Sequence, residues 1–350
     1  MNEAIKNWIP VKLQFDSDTV LVHWQYFDDI LFDEPFFEST IQKSLILSEN
    51  AHGFQPVTSL ETLSEAAQSV DSVPPTAFIF HVSRCGSTLM TQMLALNKDN
   101  IVVSEAPILD DALREMAFKI KENYEKSLQY SLRFIGKKIA THDSVQNWSL
   151  QRDELDEEVI NQTIQSVVAL MGQKRIGNEK NYFIKLDSWH IFYYEKLRKL
   201  YPNTPFIFSY RRPDEVIRSQ IQLNGMHAVP GLIQLEVFGL ELFEVMNLQQ
   251  ADFVGRVLEK YYEKFLKIVE SDTNVLFVDY KDGIINNMSK LGEFLGLHFD
   301  DDYKEKMRLR SQFHSKNPSA TFSEKPLEEN SPLAQEKVIS LYKKLCDSLN

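Results

Sequence analysis

The sequence predicts an α/β fold: a parallel sheet covered by helices on both faces, with an N-terminal extension. Three observations carry this. From residue 76 onward, short apolar runs alternate with longer amphipathic stretches, strand then helix. The short runs are almost continuously apolar, which is how strands buried on both faces read. Polar and charged residues follow these runs directly, at the strand ends where such sheets bind ligands.

Residues 1–75 form the extension. Trp8 to Phe15 and Thr19 to Phe27 read as short strands. Glu34-Pro-Phe-Phe-Glu-Ser-Thr40 leads into a helix start, with Phe36 and Phe37 as packing anchors. Leu60 to Pro75 carries Ser, Gln, Asp and two prolines and reads as a linker. The α/β domain occupies 76–350. Ala77–Val82 is its first strand and Ser87–Leu96 begins the next helix. Ile101–Ser104 is a second strand, and 108–135 and 156–173 are helices separated by a polar stretch. Tyr182–Leu186, His190–Leu200, Pro205–Tyr210 and Pro213–Gln222 continue as strand, helix, strand, helix. Residues 232–270 read as one long helical region, from apolar residues spaced by three and four. Asn274–Val278 and Ile284–Leu295 add a fifth strand and its helix, with Gly296 as terminator.

The bulk properties exclude several classes. A chain of 350 residues, 43% of them hydrophobic, holds a large core. Its net charge of −12 argues against nucleic acid as a partner, because phosphate backbones require a basic surface. A small anion needs only a local basic pocket. Cys85 and Cys346 are the only cysteines, too few for a disulfide framework or a metal-ligand pattern. Met1 to Trp8 lacks the basic segment and apolar run of a signal peptide. No stretch reaches the roughly 18 apolar residues of a membrane span. The expectation is a cytoplasmic protein with no membrane span; the oligomeric state is not legible.

Ala77-Phe-Ile-Phe-His-Val-Ser-Arg-Cys-Gly-Ser-Thr-Leu-Met90 is the most informative stretch. A buried strand runs into a tight polar turn and a helix start. Unpaired N–H groups and the positive end of the dipole suit a phosphate or sulfate there. Gly86 lets the backbone approach an anion. Ser87 and Thr88 add hydroxyl donors, and Arg84 adds a charge with fork geometry. The triphosphate loop G-x-x-x-x-G-K-[ST] would need Gly at 81 and Lys at 87, where the chain has His81 and Ser87. Arg84-Cys85-Gly86-Ser87-Thr88 instead resembles the 5′-phosphosulfate loop of the sulfotransferase family, which implies a P-loop-type sheet.

The resemblance covers about residues 76–320. In Tyr210-Arg-Arg-Pro-Asp-Glu-Val-Ile-Arg-Ser219, Arg211 and Ser219 match the family's Arg and Ser for the cofactor 3′-phosphate, eight residues apart. Arg212 departs from the Asp common there. In Ile184-Lys-Leu-Asp-Ser-Trp-His190, Lys185 matches a Lys that approaches the transferring sulfonate. Asp187 stands where the cytosolic branch has a His base. In Val103-Ser-Glu-Ala-Pro107, Glu105 resembles the base of the tyrosylprotein and bacterial carbohydrate branches; it also suits a helix N-terminus. Leu276 to Lys281 and Met288 to Leu297 resemble the family's final strand and helix; Asp279 reads as structural. Phe313-His-Ser-Lys-Asn-Pro318 falls where the family closes a basic loop over the cofactor, making Lys316 a candidate although the R-K-G signature is absent.

The resemblance implies sulfonate transfer from 3′-phosphoadenylyl sulfate to a hydroxyl or amine of a small-molecule or carbohydrate acceptor, without a metal. Arg84, Cys85, Gly86, Ser87, Thr88, Arg211, Ser219 and Lys316 would bind the cofactor. Lys185 would steady charge, with Glu105 the first candidate base and Asp187 the second. Two other readings stay open: a nucleotide-dependent kinase of this fold, and a non-catalytic nucleotide-binding protein. The loop Asn224 to Gly231, with two glycines and a proline, is either a lid contacting the acceptor through Met226 and His227 or a plain connection.

Overall fold

Alternating residues near the N-terminus build an antiparallel sheet of β1 (Trp8–Phe15), β2 (Val20–Tyr26) and β3 (Val57–Ser59), in that order. The computed structural model describes residues 5–15, 19–53, 55–116, 157–223, 225–321 and 335–349. This sheet belongs to a compact unit of Met1–Phe32, Phe36–Pro74 and Glu105–Lys180. Helix Leu60–Ser69 packs on helix Glu157–Met171, which buries Ile160, Ile164, Val167 and Met171 along one stripe. Phe37 in helix Phe37–Ser44 is buried, its ring 5.1 Å from Phe32 and 5.6 Å from Phe27, as a packing anchor requires.

The second unit comprises Asp33–Pro35, Pro75–Ser104 and Asn181–Asn350. It contains a five-stranded sheet of β4 (Ala77–His81), β5 (Asn100–Ser104), β6 (Asn181–Lys185), β7 (Phe206–Tyr210) and β8 (Val275–Asp279). Its order is β5-β6-β4-β7-β8, and every pair is parallel. All five residues of β4 and of β7 are buried. Alternation divides their side chains between two faces. Ala77, Ile79, Phe183 and Ile207 pack with Met90, Met93 and Leu94 of helix Ser87–Leu94. Phe80, Phe208 and Phe277 form the other face, with stacked rings 5.0 and 4.7 Å apart. Each such ring contributes about 1.5–3 kcal/mol on burial. The chain goes to one side of β4 for β5 and β6, then to the other for β7 and β8. The order therefore reverses beside β4, where sheets of this kind open a crevice at the strands' carboxyl ends.

Several elements differ from expectation. The stretch Leu60 to Pro75, expected as a linker, contains helix Leu60–Ser69. Ser59 caps it, accepting the Thr62 N–H at 3.3 Å, and Leu63 and Ala66 are buried. Apolar residues one helical turn apart outweigh its polar composition. The long helical region at 232–270 is broken. A 3-10 turn at Leu235–Phe238 ends at Gly239 in the left-handed region (φ +64°), and helix Leu242–Val245 follows before helix Gln250–Ser271. His190–Leu200 starts as a 3-10 turn at Ser188–Tyr193 and becomes α-helical at Tyr194–Leu200. Of the helix expected at 108–135, residues beyond 116 lie outside the described residues, as does the polar stretch after it.

Candidate active site

The turn after β4 is shaped by left-handed residues: Ser83 (φ +64°), Arg84 (φ +54°) and Gly86 (φ +84°). For the two non-glycine residues this costs roughly 1–2 kcal/mol each. His81 offsets part of that cost. Its Nδ1 accepts the Ser83 N–H at 3.0 Å, which puts the ring proton on Nε2, 3.0 Å from the Leu186 carbonyl oxygen. Gly86 caps helix Ser87–Leu94. A Cβ on Gly86 would lie 3.2 Å from the Tyr280 ring, so both conformation and space favour glycine. Left-handed residues at a helix start make a concave, anion-receiving backbone.

Cys85 is buried within this turn. Burial works to raise its thiol pKa. The His81 side chain, Ser209 and the Ser87 N–H outweigh burial and bring it below the ordinary value. Ser209 Oγ also donates to the Cys85 carbonyl at 3.1 Å, tying the turn to β7.

The turn after β4 and helix Pro213–Gln222 meet directly. Arg84 Nε donates to Ser219 Oγ at 2.8 Å. Arg211, at the end of β7, returns across the same gap: its guanidinium donates to the Arg84 carbonyl at 2.9 Å and to Glu215 Oε2 at 2.8 Å. The Arg211 guanidinium lies 4.0 Å from the centre of the Tyr280 ring, a cation–π contact, and the Tyr262 hydroxyl donates to the Arg211 carbonyl. Arg212 pairs with Asp214 at 2.8 Å instead.

Lys185 ends β6, opposite Ile79 of β4 and Ser104 of β5. It is fully buried, and its Nζ donates to Thr88 Oγ1 at 3.1 Å. A buried ammonium is costly in low dielectric and gains strongly from an anion beside it. Glu105 directly follows β5 with φ +51°, in the other compact unit. Asp187 precedes the 3-10 turn and pairs with His190: its N–H donates to His190 Nδ1 at 3.2 Å, and its Oδ2 lies 3.9 Å from Nε2. Lys316 occupies an exposed turn after Phe313–His314, and its N–H donates to His314 Nδ1 at 3.2 Å. That turn is held by Arg310, which also donates to Gln92 of helix Ser87–Leu94.

Residues 75–301 match the Sulfotransferase family. The chain belongs to the sulfotransferase family. Solved structures it is similar to include the sulfotransferase STF1 from Mycobacterium tuberculosis H37Rv, at 13% identity over 70% of this chain and 75% of that one, with TM-score 0.39. Another is the sulfotransferase STF9 from Mycobacterium avium, at 13% identity over 71% of each chain and TM-score 0.41. A third is a sulfotransferase from Alicyclobacillus acidocaldarius, at 13% identity over 67% of this chain and 90% of that one, with TM-score 0.37. No curated protein matches the chain.

The candidate site also contains residues that sequence reasoning missed. Tyr280 covers Gly86 and Arg211 from the end of β8. Gln220, next to Ser219, is fully buried and reaches Ser83. No pattern in the sequence marks either one, because each acts on a partner more than sixty residues away along the chain. In the loop at 224–231, expected as either a lid or a plain connection, Asn224 lies outside the described residues, Met226 is exposed, and His227 is buried. Asp279 is structural: it is buried and accepts the Tyr342 hydroxyl at 2.7 Å.

Proposed function

We propose that this sulfotransferase moves the sulfonate of 3′-phosphoadenylyl sulfate onto a hydroxyl or amine of a small-molecule or carbohydrate acceptor. The Arg84–Ser219 contact of 2.8 Å carries the reading, because it joins the two loops that would hold the two phosphate ends of that donor. The family generally uses this donor. The local chemistry fits it: a glycine cradle that a Cβ would fill, a helix start, and buried Lys185 beside Thr88. Residues 76–350 would form the catalytic domain and 1–75 its extension, in the cytoplasm. Among the described residues, no helix is long and apolar enough to cross a membrane.

The donor supplies an activated sulfonate and a 3′-phosphate handle. The chain supplies binding, orientation and charge. Arg84, with the backbone from Cys85 and Gly86 to Ser87 and Thr88, holds the 5′ end. Arg211 and Ser219 hold the 3′-phosphate by charge-assisted hydrogen bonds. Lys185 places its ammonium against developing negative charge. Glu105 takes the acceptor proton, with Asp187 the alternative base. Lys316 adds a cation from the C-terminal turn. The proposal includes no metal, because Arg84, Lys185 and Arg211 supply positive charge.

Adenosine 3′,5′-bisphosphate is expected to raise the melting temperature without divalent metal. No shift with the bisphosphate and a clear shift with ATP–Mg²⁺ would replace this reading with the kinase. Mass-spectrometric transfer assays over an acceptor panel test turnover. Bisphosphate binding without transfer to any acceptor would favour the non-catalytic reading.

A further inference from the structure

Gln220 is the centre of a hydrogen-bond network that the proposed chemistry does not use. It is fully buried in helix Pro213–Gln222, directly after Ser219. The Gly225 N–H, which can only donate, faces Gln220 Oε1 at 2.7 Å and fixes the orientation of the amide. The Nε2 end therefore donates to Ser83 Oγ and to His227 Nε2, each at 3.1 Å. Accepting at Nε2 leaves the His227 ring proton on Nδ1, 3.3 Å from Ser188 Oγ. His227 is itself buried.

These bonds join three segments. Ser83 is the left-handed first residue of the turn after β4. Ser188 follows Asp187 after β6. Gly225–Val229 follows the helix after β7, with its own turn closed by Ala228 N–H to Gly225 and Val229 N–H to Met226. Strands β6, β4 and β7 are neighbours in the sheet. Gly225 is fitted to this contact, since a Cβ there would lie 3.1 Å from Gln220 Oε1 and 3.3 Å from Nε2. Three saturated bonds on one buried amide leave little freedom for any segment to move alone.

We propose that Gln220 and His227 are positioning residues that transmit anion binding at Arg84–Thr88, through Ser83, to the segment Gly225–Val229. The inference rests on the reading that Arg84–Thr88, the turn that Ser83 begins, receives the donor's anion. An anion that fixes Ser83 fixes Gln220, and Gln220 holds the Gly225 amide and the His227 ring. The segment Gly225–Val229 is then ordered by the donor. Gln220 and His227 touch neither the donor nor the transferred group in this scheme and act only through the segments they join.

Hydrogen exchange tests this on the full chain, with and without saturating adenosine 3′,5′-bisphosphate. In the wild type, the bisphosphate should slow exchange of the amides at 225–229 by about fivefold or more, the low end of typical coupling. Gln220→Met keeps length and apolar contact but removes all three bonds. It should still bind bisphosphate and protect amides at 84–88, while exchange at 225–229 no longer responds. A merely structural role would raise exchange at 225–229 equally with and without ligand. If Gln220→Met loses its cooperative melting transition, His227→Gln provides the same comparison. An undiminished response at 225–229 in the folded variant would overturn the proposal, as would a wild-type response confined to 84–88. Absence of bisphosphate binding to the wild type would overturn the donor reading and this inference with it.

Discussion

Arg84 Nε donates to Ser219 Oγ at 2.8 Å across 135 residues of chain, so the turn after β4 and the helix after β7 form one polar surface. If that surface holds the donor, Arg84→Ala should weaken bisphosphate binding by roughly 10–100-fold, the value of a hydrogen bond to a charged group. Ser219→Ala should weaken it by about tenfold or less. Calorimetric titration of the single and double variants checks the pairing. Strictly additive losses would mean that the two side chains act independently.

Arg211 is held by geometry as much as by charge. Its fork reaches Glu215 and the Arg84 carbonyl, and its face lies 4.0 Å from the centre of the Tyr280 ring. Lysine reproduces none of this beyond the charge. Arg211→Lys should therefore lower bisphosphate affinity by about tenfold, close to the loss from Arg211→Ala. Wild-type affinity in Arg211→Lys would reduce this residue to a simple counter-charge.

Binding and turnover should separate at Lys185. The bisphosphate lacks the sulfonate, so Lys185→Met should bind it nearly normally. Transfer should fall by roughly 10²–10³-fold, as when one stabilising donor is lost. Glu105→Gln should likewise spare binding and cut turnover by about 10²–10⁴-fold if Glu105 is the base. Unchanged turnover in Glu105→Gln with loss in Asp187→Asn would transfer that role to Asp187.

Gly86→Ala would place a Cβ 3.2 Å from the Tyr280 ring on a backbone with φ +84°. The left-handed conformation alone should cost roughly 1–2 kcal/mol. Urea unfolding should show a lower midpoint with little change in slope, and bisphosphate binding should weaken in parallel.

Alkaline pH should expose the Tyr194 phenol. Burial first, and then its hydrogen bond to Asp272, push its pKa from 10.0 to about 12. The folded state thus favours the neutral phenol. Its stabilising contribution is fully present below pH 10 and is lost as pH rises through about 12. Tyr194→Phe should be less stable than wild type below pH 10, with the gap closing toward pH 12 in denaturant titrations at several pH values.

Much of the fold was legible because burial leaves a local trace. Ala77–His81 and Phe206–Tyr210 are apolar enough to be read as strands covered on both faces, and both are fully buried. Gly296 reads as a helix terminator and is one, in the left-handed region at φ +67°. The helix at Leu60–Ser69 was less legible, because its Ser and Gln residues resemble a linker while its inward face consists of little more than Leu63 and Ala66. The break at Gly239 was hidden by apolar spacing that continues on both sides.

The sequence by itself determined the order of the five parallel strands along the chain, the family, and the residue types that reach each strand end. Those follow from periodicity and from short motifs, in which the interacting residues are neighbours along the chain. The tertiary structure alone decided that Arg84 meets Ser219, that Arg211 lies over Tyr280, and that Gln220 binds Ser83, Gly225 and His227. These contacts depend on the sheet order β5-β6-β4-β7-β8, which brings distant strand ends side by side. A hydrogen bond is satisfied by distance and angle, and only the folded backbone supplies those between residues so far apart in sequence.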